Sequence, residues 1–324
     1  MRVLVLHSDV PGDAPPDERD TILTARASAA ALRELGHHAE LAAFVPSPPG
    51  LRAALTDTAA DIVFNLVESV FGQDSLSALA PAMLERLAVP YTGSAAAPIA
   101  VASDKLLAKR ILRAAGLPTP DWAEPPGWDG VDAGKRYVVK SAGEDASLGL
   151  DDDAVVTGMQ AVATRAQSCA ARFGGLWFAE EYVEGREFNV AVLERERAPE
   201  ILPIPEMRFE HWPDSRPRIL GYGAKWDEES EDAANTRRTF GLEAHEPELA
   251  ARLSVLAHSV WQIFGLRGYM RVDFRVDAAG RPTILEANPN PSLEPDAGFA
   301  AAAGRAGLPY QDLIAQILAA ARRR

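Results

Sequence analysis

Sulfur chemistry is nearly absent from this chain of 324 residues. Cys169 is its single cysteine, which excludes an intrachain disulfide and a thiolate metal cluster and fits a reducing cytoplasm. Basic residues are outnumbered: 33 Lys and Arg stand against 46 Asp and Glu, for a formal net charge of −13. With no dense basic stripe, neither nucleic acid nor an anionic membrane surface suits as the main partner, and the closing "ARRR" reads as a cationic helix end. Long apolar runs are missing too. The start, "MRVLVLHSDVPG", turns polar too soon for a signal-peptide core, and no later run approaches the ~20 residues of a membrane span, so a cytoplasmic protein is expected. There is no GxxxxGK[ST] loop and no GxGxxG after a strand, which excludes the P-loop and the Rossmann fingerprint.

What is present is alternation of helix and strand. "RVLVL", "AELAAF" and "DIVFNLV" read as strands separated by helical "ILTARASAAALRELGH" and "LRAALTDTAA", a β-α-β-α-β run that makes an open, mainly parallel α/β layer over residues 1–100. Its apolar character suits a homodimer. "SDKLLAKRILRAAGLPTP", with Ser103 as N-cap, opens a small α+β unit over 101–184 that holds the strand "RYVVK", a helix at about 153–172 and the strand "LWFAEEYV". Residues 185–324 are strand-rich, then loop-rich from about 205 to 243, then carry the helix "PELAARLSVLAHSVWQIFGL" and a hairpin. The expected fold is therefore α/β plus α+β in three units.

The hairpin "RVDFRVDAAGRPTILEANPN" carries Arg271 with Asp273 and Glu286 with Asn288. Residues two apart share a strand face, and an even number of loop residues would bring all four groups to one face. Phe274, Val276, Ile284 and Leu285 half-bury the segment, where an unpaired carboxylate costs several kcal/mol. A cation should sit there. Oxygen ligands without histidine suit magnesium, which takes one or two carboxylates and completes its shell with water and phosphate. The plainer alternative is an Arg271–Glu286 ion pair with Asp273 at the surface. Lysines are the natural phosphate partners, and Lys105, Lys140 and Lys225 stand at a helix start, at a strand end before "SAGEDASLG", and in the long loop region.

Taken in order, "SDKLLAKRILRAAGLPTP", "YVVKSAGEDASLG", "FAEEYVEGREFNVAVL", "GAKW" and "RVDFRVD...ILEANPNPS" resemble the ATP-grasp superfamily. "VFNLVESVFGQD", "PYTGS" and "GREF" narrow the likeness to D-alanine–D-alanine ligases. The resemblance implies a three-domain ATP-grasp architecture and an ATP- and magnesium-dependent ligase that joins a small-molecule carboxylate to an amine, the amine being free or part of a peptide. It implies that Lys105 and Lys140 contact phosphates under the small-residue loop containing Ala146 and Ser147. Glu180, Glu181 and Val183 would hold adenine, largely by backbone groups, and Glu187 the ribose. Lys225 would reach the phosphates from a mobile loop, Arg271 would stabilise the tetrahedral intermediate, and Asp273, Glu286 and Asn288 would bind magnesium.

The substrate half departs from that pattern. A serine and a tyrosine that pair in the family read Ala146 and Trp226, so the expectation is a lost contact and an apolar wall. Glu68 replaces a histidine, and Glu18 stands for the acid that holds the first substrate's ammonium. In "PNPSLEPDAGF", Ser292, Glu294 and Asp296 precede Ala297, which stands where a serine supports the second substrate's carboxylate. These changes point to an acceptor that is neutral or cationic, and to substrates other than two D-alanines. A true cell-wall dipeptide ligase and a non-catalytic ATP-binding regulatory protein are the alternatives.

Overall fold

The computed structural model describes residues 1–227 and 229–322, whose strands gather into three sheets. The first is parallel, in the order His38–Ala43, Arg2–His7, Ile62–Leu66. Parallel neighbours need crossovers, and helices Pro16–Glu34 and Pro48–Thr58 supply them. The first packs Ala25, Ala29 and Leu32 among Val3, Val5 and Phe64. This is the open α/β layer that the alternation of apolar segments predicts.

A second, antiparallel sheet runs Trp122–Ala123, Trp177–Glu181, Arg136–Ser141, Val155–Thr157. The helix expected from residue 153 begins only at Met159, and Val155–Thr157 is an edge strand instead. Three β-branched residues in a row favour the extended form, and Gly158, at φ +81°, makes the break. The helix N-cap also moves by one residue. Asp104 has the extended backbone a cap needs, and its carboxylate accepts from the Leu107 N–H at 2.9 Å. Ser103 is instead the last residue of the preceding helix, Ala96–Ser103.

The third sheet is antiparallel, in the order Thr236–Thr239, Glu206–Phe209, Arg186–Arg195, Tyr269–Val276, Pro282–Pro289, with Ala198–Ile201 also paired to Arg186–Arg195. Residues 205–243, expected as loops, thus hold two strands and the short helices Tyr222–Trp226 and Glu231–Ala234. Elements of four or five residues are too brief for periodicity to declare them. Helix Pro247–Phe264 covers one face of the sheet, packing Leu253, Ala257 and Val260 among Val190, Val272, Phe274 and Ile284. The last helix, Tyr310–Arg322, carries a basic last turn; Arg323 and Arg324 of the expected cationic end lie outside the described residues, as does Glu228. Among the described residues no helix is long and apolar enough to cross a membrane.

The hairpin between Tyr269–Val276 and Pro282–Pro289 has a loop of five residues, 277–281, an odd number. That count alone would turn Glu286 away from Asp273. A register shift after Asp273 leaves Leu285 unopposed, so that Asp273 faces Glu286 and Arg271 faces Asn288. The bulge does what an even loop was expected to do. At the hairpin's far end Asn290 accepts from the Ser94 N–H at 2.9 Å and lies over Gly93, whose φ is +86°. A Cβ at Gly93 would fall 2.4 Å from the Asn290 amide oxygen, so only glycine allows this junction between hairpin and first layer.

Candidate active site

Alternation along Tyr269–Val276 divides its side chains. Met270, Val272 and Phe274 are fully buried in the core, while Arg271, Asp273 and Arg275 line a cavity of about 1520 Å³ on the other face. Asp273 is 6% exposed and far from the surface position of the plainer alternative. Arg271, not paired with Glu286 in that scheme's manner, grips Asp273 with two bonds of 2.7 and 2.9 Å. Asn189 donates to Asp273 Oδ1 at 2.8 Å, and the Asn288 amide donates at 3.2 Å to both Asp273 and Glu286. Two carboxylates therefore converge on one amide, leaving the Asn288 carbonyl oxygen uncommitted to either. This is a donor set for a hard cation that also takes ligands from elsewhere.

Four cations surround that face. Burial alone would raise the Glu286 pKa, but Lys105, Lys140, Lys225 and Arg271 outweigh it and hold the carboxyl well below its usual range. Lys105 is buried, donates to the Glu144 carbonyl at 2.8 Å and pairs with Asp145. Lys140 is buried beside Glu180, which Lys109 contacts from the other side at 2.7 Å. Lys225 lines the cavity, and no acceptor meets its ammonium among the described residues. The enclosing walls, with Arg271 beside it, push its pKa down.

The remaining nucleotide-side residues sit on the same cavity. Glu187 faces Arg275 across the sheet at 3.2 Å, and burial pushes its pKa up. Glu180 is 2% exposed, so its carboxylate is the centre of a Lys109–Glu180–Lys140 cluster and only its backbone is left for a ligand. Glu181 turns to Lys135 at 2.7 Å, and Val183 lines the cavity at the strand's end. Ser147 donates to the Leu220 carbonyl at 2.9 Å. Trp226 corrects the expectation of a lost contact: its indole N–H donates to the Ala146 carbonyl at 3.0 Å. In place of the expected gap a side chain is bound to backbone, and the lysine-bearing segment clasps the loop. The sequence hides this, because a main-chain carbonyl is available at every position.

At the other end acids dominate. Ser8, at the end of Arg2–His7, accepts from the Glu68 and Ser69 N–H groups at 3.1 and 3.0 Å, which fixes the turn that carries Glu68 into the cavity. Burial, helped by Asp20, Asp74 and Asp145, raises the Glu68 pKa to about 8, and burial beside Asp145 raises that of Asp74 to about 7. Glu18 lines the cavity as expected, but Asp20, which was not foreseen, lines it too and accepts from Ser292 at 2.9 Å. Glu294 accepts from the Asp296 N–H at 3.0 Å and Asp296 is exposed, so neither forms an unrelieved acidic wall. Arg238 lines the cavity beside them, another residue the sequence reading missed.

The family described as "D-ala D-ala ligase C-terminus" matches residues 134–319. The chain belongs to the D-alanine–D-alanine ligase family. It is 34% identical to the D-alanine–D-alanine ligase of Laribacter hongkongensis over 88% of this chain and 87% of that one. Protein y4sG of Sinorhizobium fredii, named as uncharacterized, is 31% identical over 91% and 86%. The fold is that of the Bacillus anthracis D-alanine–D-alanine ligase solved in complex with ATP, at a TM-score of 0.79, with 21% identity and coverage of 100% and 98%. As a member of this ligase family the chain is an ATP-grasp ligase that forms a carbon–nitrogen bond.

Proposed function

We propose that the chain uses ATP to activate the carboxylate of an ammonium-bearing substrate as an acyl phosphate, and joins it to the amine of a second substrate with release of ADP and phosphate. What carries this reading is the convergence of Lys105, Lys140, Lys225 and Arg271 with Asp273, Glu286 and Asn288 on one cavity. A binding protein for ATP would have no use for an arginine that faces the reacting carbon, which weighs against the regulatory alternative. We take residues 1–100 as the substrate-side unit, 101–184 as the lid and 185–324 as the catalytic unit.

In the first step a carboxylate oxygen of the donor attacks the γ-phosphorus, and the bond to the β-phosphate bridging oxygen breaks. Lys105, Lys140 and Lys225 exchange their present surroundings for phosphate oxygens as negative charge spreads over them. In the second, the amine attacks the acyl carbon, and the carbon–oxygen bond to phosphate breaks after a tetrahedral oxyanion that Arg271 stabilises. Magnesium held by Asp273, Glu286 and Asn288 would neutralise phosphate charge. The adenine would lie along the backbone of Glu180, Glu181 and Val183, and the ribose against Glu187. Glu18, Asp20 and Glu68 favour a donor that carries an ammonium group, as an amino acid does.

The names of the relatives favour D-alanine at both positions, and that pair is the first to test. Glu68, Trp226 and Ala297 mark where other amino acids would be admitted. The assay is ADP formation with D-alanine alone and then with pairs drawn from a panel of amino acids, followed by mass analysis of the product. A dipeptide mass accompanied by stoichiometric ADP is expected. ADP without a condensed product, or no ADP with any pair, would refute the ligase reading.

A further inference from the structure

We propose that Arg238 selects the acceptor by binding a free carboxylate on the amine-bearing substrate; this rests on the ligase reading above. Arg238 stands on the strand Thr236–Thr239, opposite Met207, and both residues line the cavity. Strand alternation sends its neighbour Arg237 elsewhere, to Glu210 at 3.1 Å. The Arg238 guanidinium lies against Gly298, where even a Cβ would come to 3.6 Å from Nη2 and 3.8 Å from Nε. Among the described residues its one hydrogen bond goes from Nη1 to the Asp296 carbonyl, at 3.3 Å.

A guanidinium has five N–H donors in a fixed fork that matches a carboxylate. Arg216, Arg271 and Arg275 line the same cavity, and each already holds a carboxylate. Arg238 has no carboxylate within ion-pair distance among the described residues. Gly298, against which its fork lies, has no side chain that could accept.

Location decides between a substrate carboxylate and a phosphate. The charges that Glu286 feels most strongly are Lys105, Lys140, Lys225 and Arg271, whereas Arg238 feels Arg271 and Asp296. Arg271 is thus felt by both groups, whereas the lysines are not among the charges that act on Arg238. An anion between the two guanidinium groups relieves their mutual repulsion and lies beside the group assigned to the acyl carbon. An amine one carbon away from that anion is within reach of the carbon, which is the geometry of an α-amino acid acceptor.

A competition assay tests this. D-Alanine and D-alaninamide are supplied at equal concentration with ATP and magnesium; the amide has no carboxylate to activate and can act only as acceptor. Mass analysis of dipeptide acid and dipeptide amide then reads the ratio of the two acceptor kcat/KM values. The native chain is expected to favour the acid at least about tenfold, Arg238→Gln to shift the ratio towards unity by about 10- to 100-fold, and Arg238→Lys to retain part of the preference. Glutamine can still donate to the Asp296 carbonyl, so the local fold is kept. A ratio that Arg238→Gln leaves unmoved, or a native preference for the amide, overturns the proposal while the ligase reading stands. If D-alanine gives no product, the same pairing is run with each amino acid and its amide, and absence of product and of ADP from all of them overturns both.

Discussion

The two ends of the cavity are built on opposite electrostatic plans. At the hairpin end four cations hold the Glu286 carboxylate ionised, and Asp273 is saturated by Arg271, Asn189 and Asn288. At the other end Glu18, Asp20, Glu68 and Asp74 meet little positive charge, and Glu68 and Asp74 are pushed towards neutrality. Arg271, Asp273, Glu286 and Asn288 of the first end stand on neighbouring strands of one sheet, with side chains fixed by register. The second is made from loops and helix ends of separate layers. A plan set by strand register changes little when a side chain is exchanged, whereas one set by loops can be re-cut residue by residue.

The comparison breaks most readily at Glu286. Glu286→Ala should lower turnover by about a thousandfold or more while melting cooperatively, because charge compensation at the phosphates is lost; ADP formation within tenfold of the native rate would remove the hairpin from the chemistry. Lys109→Met should come next, acting on the fold: Lys109 is 1% exposed, and its loss leaves buried Glu180 with one partner fewer, at a cost of about 3–5 kcal/mol in denaturant unfolding. A loss near zero would mean that the lysine cluster belongs to the ligand site alone.

The acidic end is probed by pH. The Glu68 pKa rises from 4.5 in the unfolded chain to about 8 in the folded one. Between these values the folded protein keeps a proton that the unfolded chain has released, so stability falls as pH rises through the window and is level above it. Glu68→Gln removes that slope. Its stability relative to the native chain should therefore grow between pH 5 and pH 8, by up to about 3–4 kcal/mol, and parallel stability curves would show that Glu68 is ionised throughout. The smallest effect concerns the clasp between the ends. Trp226→Phe keeps the ring but removes the N–H, and should lower turnover by roughly 2- to 10-fold while making residues 218–235 more susceptible to protease when nucleotide is absent. Unaltered cleavage would mean that the bond to Ala146 does not hold the segment down.

What the sequence disclosed follows the same division. The parallel layer, the central strands and the four hairpin groups were legible because alternation and helical periodicity act over short stretches. Contacts made between distant segments were not. Asp20 with Ser292, Trp226 with the Ala146 carbonyl, and Arg238 with the Asp296 carbonyl join positions from 58 to 272 residues apart, and nothing in the local pattern of either partner marks the meeting. Family resemblance located Ala146 and Trp226 as a missing pair, but it compares side chains and is blind to a bond that uses the main chain. The two short strands within 205–243 were invisible for want of length.

The bulge at Leu285 makes the hairpin's two ends independent in inheritance. Without it, each one-residue insertion or deletion in the 277–281 loop would have to be answered at once or the acid pair would be split. With the offset placed between loop and acids, the loop tip can grow, shrink or accept a grafted peptide while the reading frame of side chains on the cavity face is preserved. Leu285 itself carries none of the pairing: removing it would leave Ile284 opposite Phe274 and Glu286 opposite Asp273, with the ladder straightened between them.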